Sequence, residues 1–203
     1  MKVSIIKYNA GNIQSVLFAL ERIGIEAIVT SDLEILKTSD KVIFPGVGEA
    51  SSAMNYLKEH QLDKLIVDLK QPVLGICLGM QLMCRFSEEA NTTCLGIFDT
   101  QVKLFKPELF KDNTSHIKVP QIGWNTIYDL KTNLFKGLKE NEYMYFVHSY
   151  FAEMGEHTIA KTNYGLDYSS SLQKNNFYAT QFHPEKSSTA GQTILENFIR
   201  STS

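Results

Sequence analysis

The chain has 203 residues, of which 43% are apolar, so it can bury a substantial core, and we expect one domain over residues 1–203. Its 20 basic and 22 acidic residues give a formal net charge of −2 with no long block of like charge, which argues against nucleic acid or an anionic membrane as a partner. No apolar run reaches the roughly 20 residues that span a bilayer, and no signal-peptide pattern opens the chain, so we expect a cytoplasmic protein.

Short apolar runs alternate with helical patterns through the first half of the chain. The segment MKVSIIKY predicts a strand, and residues 10–24 predict a helix that Gly24 ends, because apolar residues recur there at helical spacing. Further strands are predicted at residues 26–30, 41–44 and 72–76. Strands that alternate with helices favour an α/β fold with a mostly parallel central sheet flanked by helices.

In the second half the runs become closely spaced and rich in aromatic and β-branched residues, which predicts additional antiparallel strands joined in hairpins. These runs cover residues 100–105, 123–130, 142–151, 157–163, 169–173 and 176–182. Asn175 and Asn176 lie where a tight turn would need positive φ. Residues 187–201 predict a closing helix with Ser187 or Ser188 as its N-cap. Its expected buried stripe is Ile194, Leu195, Phe198 and Ile199.

Residues 75–79 form the pattern G-x-C-x-G, the cysteine version of a nucleophile elbow. In an elbow a strand ends in a strained turn and a helix begins at once, so the neighbours must be small, as Gly75 and Gly79 are. The Leu78 amide would then point toward negative charge that develops on a substrate carbonyl. The alternative is that Cys77 is a small buried apolar residue, and the pentapeptide alone does not decide between the two.

A candidate base and its orienting acid follow the last predicted strand. His183 and Glu185 are separated by Pro184, and an extended backbone would place both side chains on the same side. Glu185 could then hold one ring nitrogen of His183 while the other faces the thiol. A lone H-x-E is more often a surface histidine beside an unrelated acid, but its position after a strand, in a chain with a cysteine elbow, favours a catalytic pair.

A third element is the loop FPGVGEA after the predicted strand at residues 41–44. Gly46 and Gly48 let its amides approach a ligand closely, and Val47 could offer a second donor to an oxyanion, although a plain strand-to-helix turn is the alternative. All three elements follow predicted strands, and open α/β sheets bind ligands at the carboxyl ends of their strands.

The segments PGVG, GICLGMQL and QFHPEKS, in this order, resemble the class I (triad) glutamine amidotransferases, which have a flavodoxin-like fold. PQIGWN and YFVHSY narrow the resemblance to the glutaminase subunits of imidazole glycerol phosphate synthase, and the similarity runs from AGN at residues 10–12 to the terminal helix. The family implies hydrolysis of L-glutamine to glutamate and ammonia through a thioester.

The resemblance also implies a partner. In this family ammonia passes to a cyclase subunit, a (β/α)8 barrel that makes imidazole glycerol phosphate and aminoimidazole carboxamide ribotide in histidine biosynthesis. Such a barrel needs about 200 residues or more, so this chain has no room for one. We therefore expect a heterodimer with a separate cyclase chain.

The resemblance assigns roles to individual residues. Cys77 would be the nucleophile, His183 would transfer protons and Glu185 would orient His183. The amides of Val47 and Leu78 would form the oxyanion hole, after a rearrangement of the loop Gly46-Val47-Gly48. The positions that match glutamine-holding residues are Gln81, Glu89, Ser149 and Tyr150. Those that match the cyclase interface are Asn12, Trp124, Tyr145 and Lys186, for which ordinary core aromatics and a solvated charge are the alternatives.

The chain departs from the family pattern at one place. The first loop, KYNAGN, has Lys7 and Asn9 where the family more often has an acid and a glycine. The spacing of the three cysteines matches no zinc pattern, and we expect free thiols, no metal and no cofactor. Rival hypotheses are a paralogue that supplies ammonia to another synthase, such as one that amidinates a surface sugar, a free-standing cysteine hydrolase, and a non-catalytic binding module.

Overall fold

The computed structural model describes residues 1–9, 11–106, 108 and 117–201. Its strands are β1 (Val3–Ile6), β2 (Ala27–Thr30), β3 (Lys41–Phe44), β4 (Val73–Ile76), β5 (Cys84–Ser87), β6 (Thr92–Thr93), β7 (Phe98–Leu104), β8 (Gln121–Ile127), β9 (Glu142–His148), β10 (Tyr150–Ala152), β11 (Thr158–Asn163), β12 (Asp167–Lys174) and β13 (Phe177–Thr180). Its helices are α1 (Ile13–Arg22), α2 (Leu33–Lys37), α3 (Ala50–Glu59), α4 (Leu62–Asp68), α5 (Leu78–Met83) and α6 (Ser188–Arg200). No helix in this part of the chain is long and apolar enough to cross a membrane.

One large sheet organises the molecule, with the strand order β2-β1-β3-β4-β13-β12-β10-β7-β5-β6, and β11 pairs with β12. The first five strands of this order run parallel, and β12, β10 and β11 add antiparallel pairs from the second half of the chain. Strands β8 and β9 form a separate antiparallel pair. This confirms the predicted α/β fold with a parallel centre and additional antiparallel strands.

Two apolar cores cover the two faces of the large sheet. One contains side chains of α2 to α5, such as Leu57 and Met80, and the other contains side chains of α1, α6 and β9, such as Val16, Phe198 and Phe146. Every residue of β3 and β4 is buried, as expected for parallel strands that helices cover on both sides.

The predicted helix at residues 10–24 is α1, and Gly24 ends it as expected. Gly24 has φ 76° and donates its N–H to the carbonyl of Glu21, which is the left-handed termination that glycine favours. The helix begins later than predicted, at Ile13 after Asn12, and Ala10 lies outside the described residues.

The predicted strand at residues 142–151 is two strands in two different sheets. Strand β9 pairs with β8 and ends before Ser149. Strand β10 begins after Ser149 and lies in the large sheet between β7 and β12. Alternation of apolar residues could not reveal this break, because both segments are strands and only their partners differ. Strands β5 and β6 were not anticipated, since they are short and partly polar.

The turn and cap predictions had different outcomes. Asn175 has φ 52° in the tight turn between β12 and β13, as predicted, whereas Asn176 does not have positive φ and its side-chain amide donates to the carbonyls of Leu69 and Gln71. Ser187 occupies the N-cap position of α6, but its hydroxyl accepts the N–H of Tyr145 and donates to the carbonyl of His183, so it makes no cap hydrogen bond. The four predicted stripe residues of α6 are all buried.

Helix α5 begins directly after β4 and lies against β3 with no room for side chains between them. A Cβ at Gly79 would lie 1.9 Å from the carbonyl oxygen of Phe44, and a Cβ at Gly75 would lie 3.0 Å from the backbone of Gly79. Both glycines therefore have the steric reason that the elbow pattern predicted.

We expect Gly79→Ala to destabilise the fold by about 3 kcal/mol or more, because the methyl group can only be accommodated if α5 moves away from β3. Chemical denaturation followed by circular dichroism measures the change. Gly155→Ala is the matched control, because a Cβ there meets nothing within 4 Å and its stability should change by less than about 0.5 kcal/mol. Equal stability of the two variants would contradict the packing argument.

Candidate active site

The three predicted elements meet at one edge of the large sheet. Cys77 follows β4, His183 follows β13 and the loop at residues 45–48 follows β3, and these three strands are neighbours in the parallel part of the sheet. A cavity of about 280 Å³ opens beside Cys77. Its lining includes Val47, Gly48, Leu78, Gln81, Glu89, Ser149 and Tyr150. Seven of the predicted substrate residues thus surround one space, and the eighth, Gly46, accepts the N–H of the lining residue Leu78.

Cys77 occupies a strained turn. Its φ of 52° and ψ of −105° lie outside the regions that a cysteine normally adopts, and its N–H donates to the carbonyl of Thr180 on β13 at 2.7 Å. Its sulfur lies 3.9 Å from the carbonyl oxygen of Val147 and 3.6 Å from Nε2 of Gln181. The backbone conformation is that of the predicted elbow, and the side chain is 6% exposed.

His183 and Glu185 are in contact, although not through the predicted geometry. His183 Nδ1 lies 2.7 Å from Glu185 Oε1 with both side chains buried, and Asn12 Nδ2 donates to the same oxygen. The backbone from Pro184 to Lys186 is a 3-10 turn and not an extended strand. The expected extended geometry was wrong because proline is well suited to the first position of a helical turn.

Glu185 fixes the tautomer of His183. Because Nδ1 donates its hydrogen to the carboxylate, Nε2 is the nitrogen left to act on a thiol. Nε2 is buried and has no hydrogen-bond partner among the described residues. Burial by itself lowers the pKa of His183, but the nearby Cys77 sulfur and the Glu185 carboxylate more than offset burial and raise the pKa.

The loop at residues 45–48 closes over one of the predicted oxyanion donors. The Leu78 N–H donates to the carbonyl of Gly46 at 3.2 Å, so it is occupied in this structure. The carbonyl of Val47 accepts the N–H of Gly11, and the Tyr8 hydroxyl donates to the carbonyl of Pro45 at 2.6 Å. Tyr8 and Gly11 therefore hold the loop at residues 45–48 in a form in which the Leu78 amide is not free to bind a ligand.

Gln81 and Glu89 are also held by backbone groups. Gln81 Nε2 donates to the carbonyl of Tyr150 at 3.0 Å, and Glu89 Oε2 accepts the N–H of Ala50 at 2.7 Å. Burial raises the pKa of Glu89. Both side chains line the cavity, where an amide and a carboxylate can bind the polar groups of an amino acid.

His148 is a histidine in the cavity wall that the sequence analysis missed. Its Nδ1 lies 2.7 Å from the carbonyl oxygen of Tyr150 and its Nε2 lies 3.3 Å from the Tyr168 hydroxyl, with Phe105 and Phe146 packed around the ring. Burial lowers the pKa of His148 to about 4. It belongs to YFVHSY, but only its inward position on β9 distinguishes it from a surface histidine.

The four residues predicted for an interface lie near the same edge. Trp124 is 53% exposed and forms an edge-to-face pair with half-buried Tyr145 at 6.0 Å, so neither is an ordinary core aromatic. Lys186 is exposed in the 3-10 turn beside Glu185, whereas Asn12 is partly buried against Glu185. The backbone carbonyl of Tyr145 also accepts the N–H of His183 at 2.9 Å.

The outer face of the β8–β9 pair is apolar. Cross-strand partners Ile122 and Val147, and Trp124 and Tyr145, lie on this face with Tyr143 next to them. Ile122 and Tyr143 are 64% and 59% exposed, while the alternate residues, such as Phe146, are buried. We call these five residues the aromatic face.

Two other observations concern the rest of the described residues. A larger groove of about 790 Å³ lies near the start of β13, at the opposite end of the sheet, and its lining contains neither a cysteine nor a histidine. Within the described ranges no group of three or more His, Cys, Asp or Glu side chains could hold a metal ion.

Comparison with known proteins adds the following similarities. The glutamine amidotransferase class-I family model matches residues 5–202. The imidazole glycerol phosphate synthase subunit HisH of Bacteroides fragilis is 61% identical to the chain and that of Bacteroides thetaiotaomicron is 56% identical, each over 98% of this chain and 99% of the relative. The structure of PurLQS from Thermotoga maritima matches 98% of this chain and 97% of its own, with a TM-score of 0.71 at 14% identity, a likeness of fold alone.

We expect His148 to make the folded chain sensitive to mild acid. Its pKa is lowered to about 4 in the folded state, so between about pH 6.5 and 4 the unfolded chain binds a proton that the folded chain does not. Stability should therefore fall as pH falls through this window, by about 1.5 kcal/mol between pH 6.5 and 5.

Urea denaturation at these two pH values measures the effect. His148→Gln should lose this dependence, and His60→Gln, which changes an exposed histidine on the surface, should keep it. An acid dependence that survives in His148→Gln would refute the assignment.

Proposed function

The chain belongs to the class-I glutamine amidotransferases and, within them, to the HisH subunits of imidazole glycerol phosphate synthase, and we propose that it hydrolyses L-glutamine through Cys77, His183 and Glu185. The observation that carries this proposal is the cavity beside Cys77, which brings a cysteine in a strained elbow and the predicted glutamine-holding residues to one edge of the sheet. A buried His183–Glu185 pair lies directly behind it.

The reaction begins with transfer of the thiol proton of Cys77 to Nε2 of His183. The sulfur attacks the side-chain amide carbon of glutamine, and a tetrahedral oxyanion forms. His183 then protonates the leaving nitrogen, the carbon–nitrogen bond breaks, and ammonia leaves a γ-glutamyl thioester on Cys77. Water, deprotonated by His183, attacks the thioester, and glutamate and the thiol are released.

Glu185 supports both proton transfers without accepting a proton itself. Its Oε1 holds Nδ1–H of His183, which keeps Nε2 directed away from the carboxylate and stabilises the imidazolium that forms in each step. Asn12 donates to the same oxygen and so helps to orient Glu185, which in turn orients His183.

The oxyanion hole is assembled by movement of the loop at residues 46–48. The Leu78 N–H is occupied by the Gly46 carbonyl, and a rearrangement of that peptide would free Leu78 and direct the Val47 N–H to the same side. Each such donor is typically worth about 2.7 to 4 kcal/mol of the barrier, so the resting form should be a slow glutaminase.

The cavity suits the two ends of glutamine. Glu89 carries the negative charge that a substrate ammonium group requires, and Gln81 with the backbone of Ser149 and Tyr150 offers donors and acceptors to the rest of the amino acid. Cys77 then meets the side-chain amide at the inner end of the cavity.

We propose that ammonia passes to a cyclase subunit, a (β/α)8 barrel, in a cytoplasmic heterodimer. The printed names of the relatives describe a subunit of imidazole glycerol phosphate synthase, which supports a second chain. We place the docking site of this second chain on the aromatic face, because that face is exposed and apolar. It also belongs to the pair that contains β9, and the carbonyls of β9 contact Cys77 and His183. Lys186 and Asn12 would lie at the rim of the same interface.

Loss of the nucleophile is the first test. With a cognate cyclase and its ribotide ligand, Cys77→Ala should release glutamate at least about a thousandfold more slowly than wild type, since no thioester can form. Cys94→Ala removes another partly buried thiol away from the cavity and should keep wild-type activity.

The same assay separates the rival hypotheses. Activity retained by Cys77→Ala would remove the nucleophile assignment. Full wild-type activity without the cyclase would favour a free-standing hydrolase, and activity that does not respond to a histidine-pathway cyclase would favour a paralogue with another acceptor.

Loss of the largest exposed ring tests the partner surface. We expect Trp124→Ala to weaken cyclase binding about 30-fold, because a buried tryptophan at an interface is commonly worth about 2 kcal/mol. Calorimetric titration measures the affinity. Ile28→Ala also shortens an exposed apolar side chain, on the edge strand β2 at the far end of the sheet, and should bind normally. Unchanged affinity of Trp124→Ala would exclude the aromatic face as the docking site.

A further inference from the structure

Gln181 is a fully buried polar residue at the site to which the sequence motifs give no role. It follows β13 directly, its side chain is 0% exposed, and its own N–H donates to the carbonyl of Ser170 on β12. A buried amide is costly unless its donors and acceptors are satisfied. The partners that satisfy Gln181 are both members of the candidate active site.

The first partner is the nucleophile and the second is a cavity-lining amide. Nε2 of Gln181 lies 3.6 Å from the sulfur of Cys77, and Oε1 accepts Nε2–H of Gln81 at 3.0 Å. Gln81 uses the same nitrogen to donate to the backbone carbonyl of Tyr150 at 3.0 Å.

The orientation of the two amides follows from a fixed backbone atom. Because the carbonyl of Tyr150 can only accept, Gln81 must present its NH2 group to it, and the same NH2 group then meets Gln181. Gln181 must therefore present its oxygen to Gln81 and its NH2 group to the sulfur. Flipping the Gln81 amide would bring its oxygen against the Tyr150 carbonyl, two acceptors, and flipping the Gln181 amide would bring its NH2 group against that of Gln81, two donors.

A donor fixed against the sulfur has a chemical consequence. A second hydrogen-bonding contact of Cys77 Sγ is the carbonyl of Val147, which accepts and so favours the protonated thiol. The NH2 group of Gln181 donates and so favours the thiolate, and hydrogen bonds to charged groups are about twice as strong as neutral ones. His183 lies two residues further on, so one short segment supplies the sulfur with both a donor and a base.

We propose that Gln181 is a positioning residue that stabilises the Cys77 thiolate and links it to Gln81, so that the nucleophile and the glutamine-holding amide keep a fixed separation. This inference rests on the proposed function only for the identity of the substrate. The effect on the sulfur is a property of the chain itself.

The test uses Gln181→Met, which keeps the size of the side chain and removes its donor and acceptor. The rate at which iodoacetamide alkylates Cys77 is measured against pH on the whole chain, with the Cys77 peptide resolved by mass spectrometry. We expect the alkylation profile to move to higher pH by about one unit, which is roughly a tenfold slower reaction at a pH below its midpoint. A folded Gln181→Met with an unchanged profile overturns the proposal.

The matched control is Gln173→Met, the same chemical change on β12 at the opposite end of the sheet. It should leave the alkylation profile at its wild-type position, and a shift equal to that of Gln181→Met would overturn the proposal as a general effect of losing an amide. If Gln181→Met does not fold, Gln181→Glu keeps the shape and exchanges the amide for an acid. Its carboxylate repels the thiolate, so the shift should have the same direction, and no shift again overturns the proposal.

Glutaminase kinetics with the cyclase give a second readout. Gln181→Met should lower kcat roughly tenfold or more with a smaller change in KM, because a thiolate is needed for chemistry and not for binding. A rise in KM alone would overturn the role at the sulfur. If wild type releases no glutamate, the proposed function fails while a shifted alkylation profile still supports Gln181.

Discussion

The position of Cys77 depends on the close approach of helix α5 to strand β3, where Gly79 lies against the carbonyl of Phe44. Since α5 begins without a connecting loop, Cys77 must adopt positive φ, a conformation that costs about 1 to 3 kcal/mol. Neighbouring segments hold the turn: the Cys77 N–H donates to the carbonyl of Thr180 on β13, and the Leu78 N–H donates to the carbonyl of Gly46 in the loop after β3. The Leu78 amide is also the one proposed to bind the oxyanion. In the resting structure it stabilises the turn, and in the proposed reaction it would bind the substrate oxygen instead.

Much of this architecture could be predicted from local sequence. Short-range sterics and periodicity determine the glycines of the elbow, the strand ends and the apolar stripe of α6. The site could be located because the carboxyl ends of parallel strands lie at one edge of a sheet, whichever helices cover it. What could not be predicted depends on contacts between distant segments. The hydroxyl of Ser187 bonds to Tyr145 and His183 instead of capping α6, and Glu185 reaches His183 through a 3-10 turn. Gln181 belongs to the segment QFHPEKS, but its contact with Gln81 joins two distant segments and is visible only in the structure.

Two histidines near the cavity show that environment, not residue type, sets the chemistry. His148 is surrounded by aromatic rings and shares its Nδ1 with a neutral carbonyl, so burial dominates and its pKa falls. His183 is equally buried, but a carboxylate and a sulfur lie beside it and its pKa rises. Two histidines whose pKa values are shifted in opposite directions can have different roles at one pH. In the proposed function His183 exchanges protons, and His148 stays neutral and supports the cavity wall.

The interruption of the strand at Ser149, between β9 and β10, has a mechanical consequence. A strand is stiff along its length, and here one continuous stretch of chain belongs to the exposed pair β8–β9 on one side of Ser149 and to the large sheet on the other. Ser149 is therefore the single residue between a strand of the exposed pair and a strand of the large sheet, and it lies in the cavity wall. A displacement of β9 by a bound partner would therefore shift the carbonyls of Tyr145 and Val147, which contact His183 and Cys77, together with the cavity wall at Ser149.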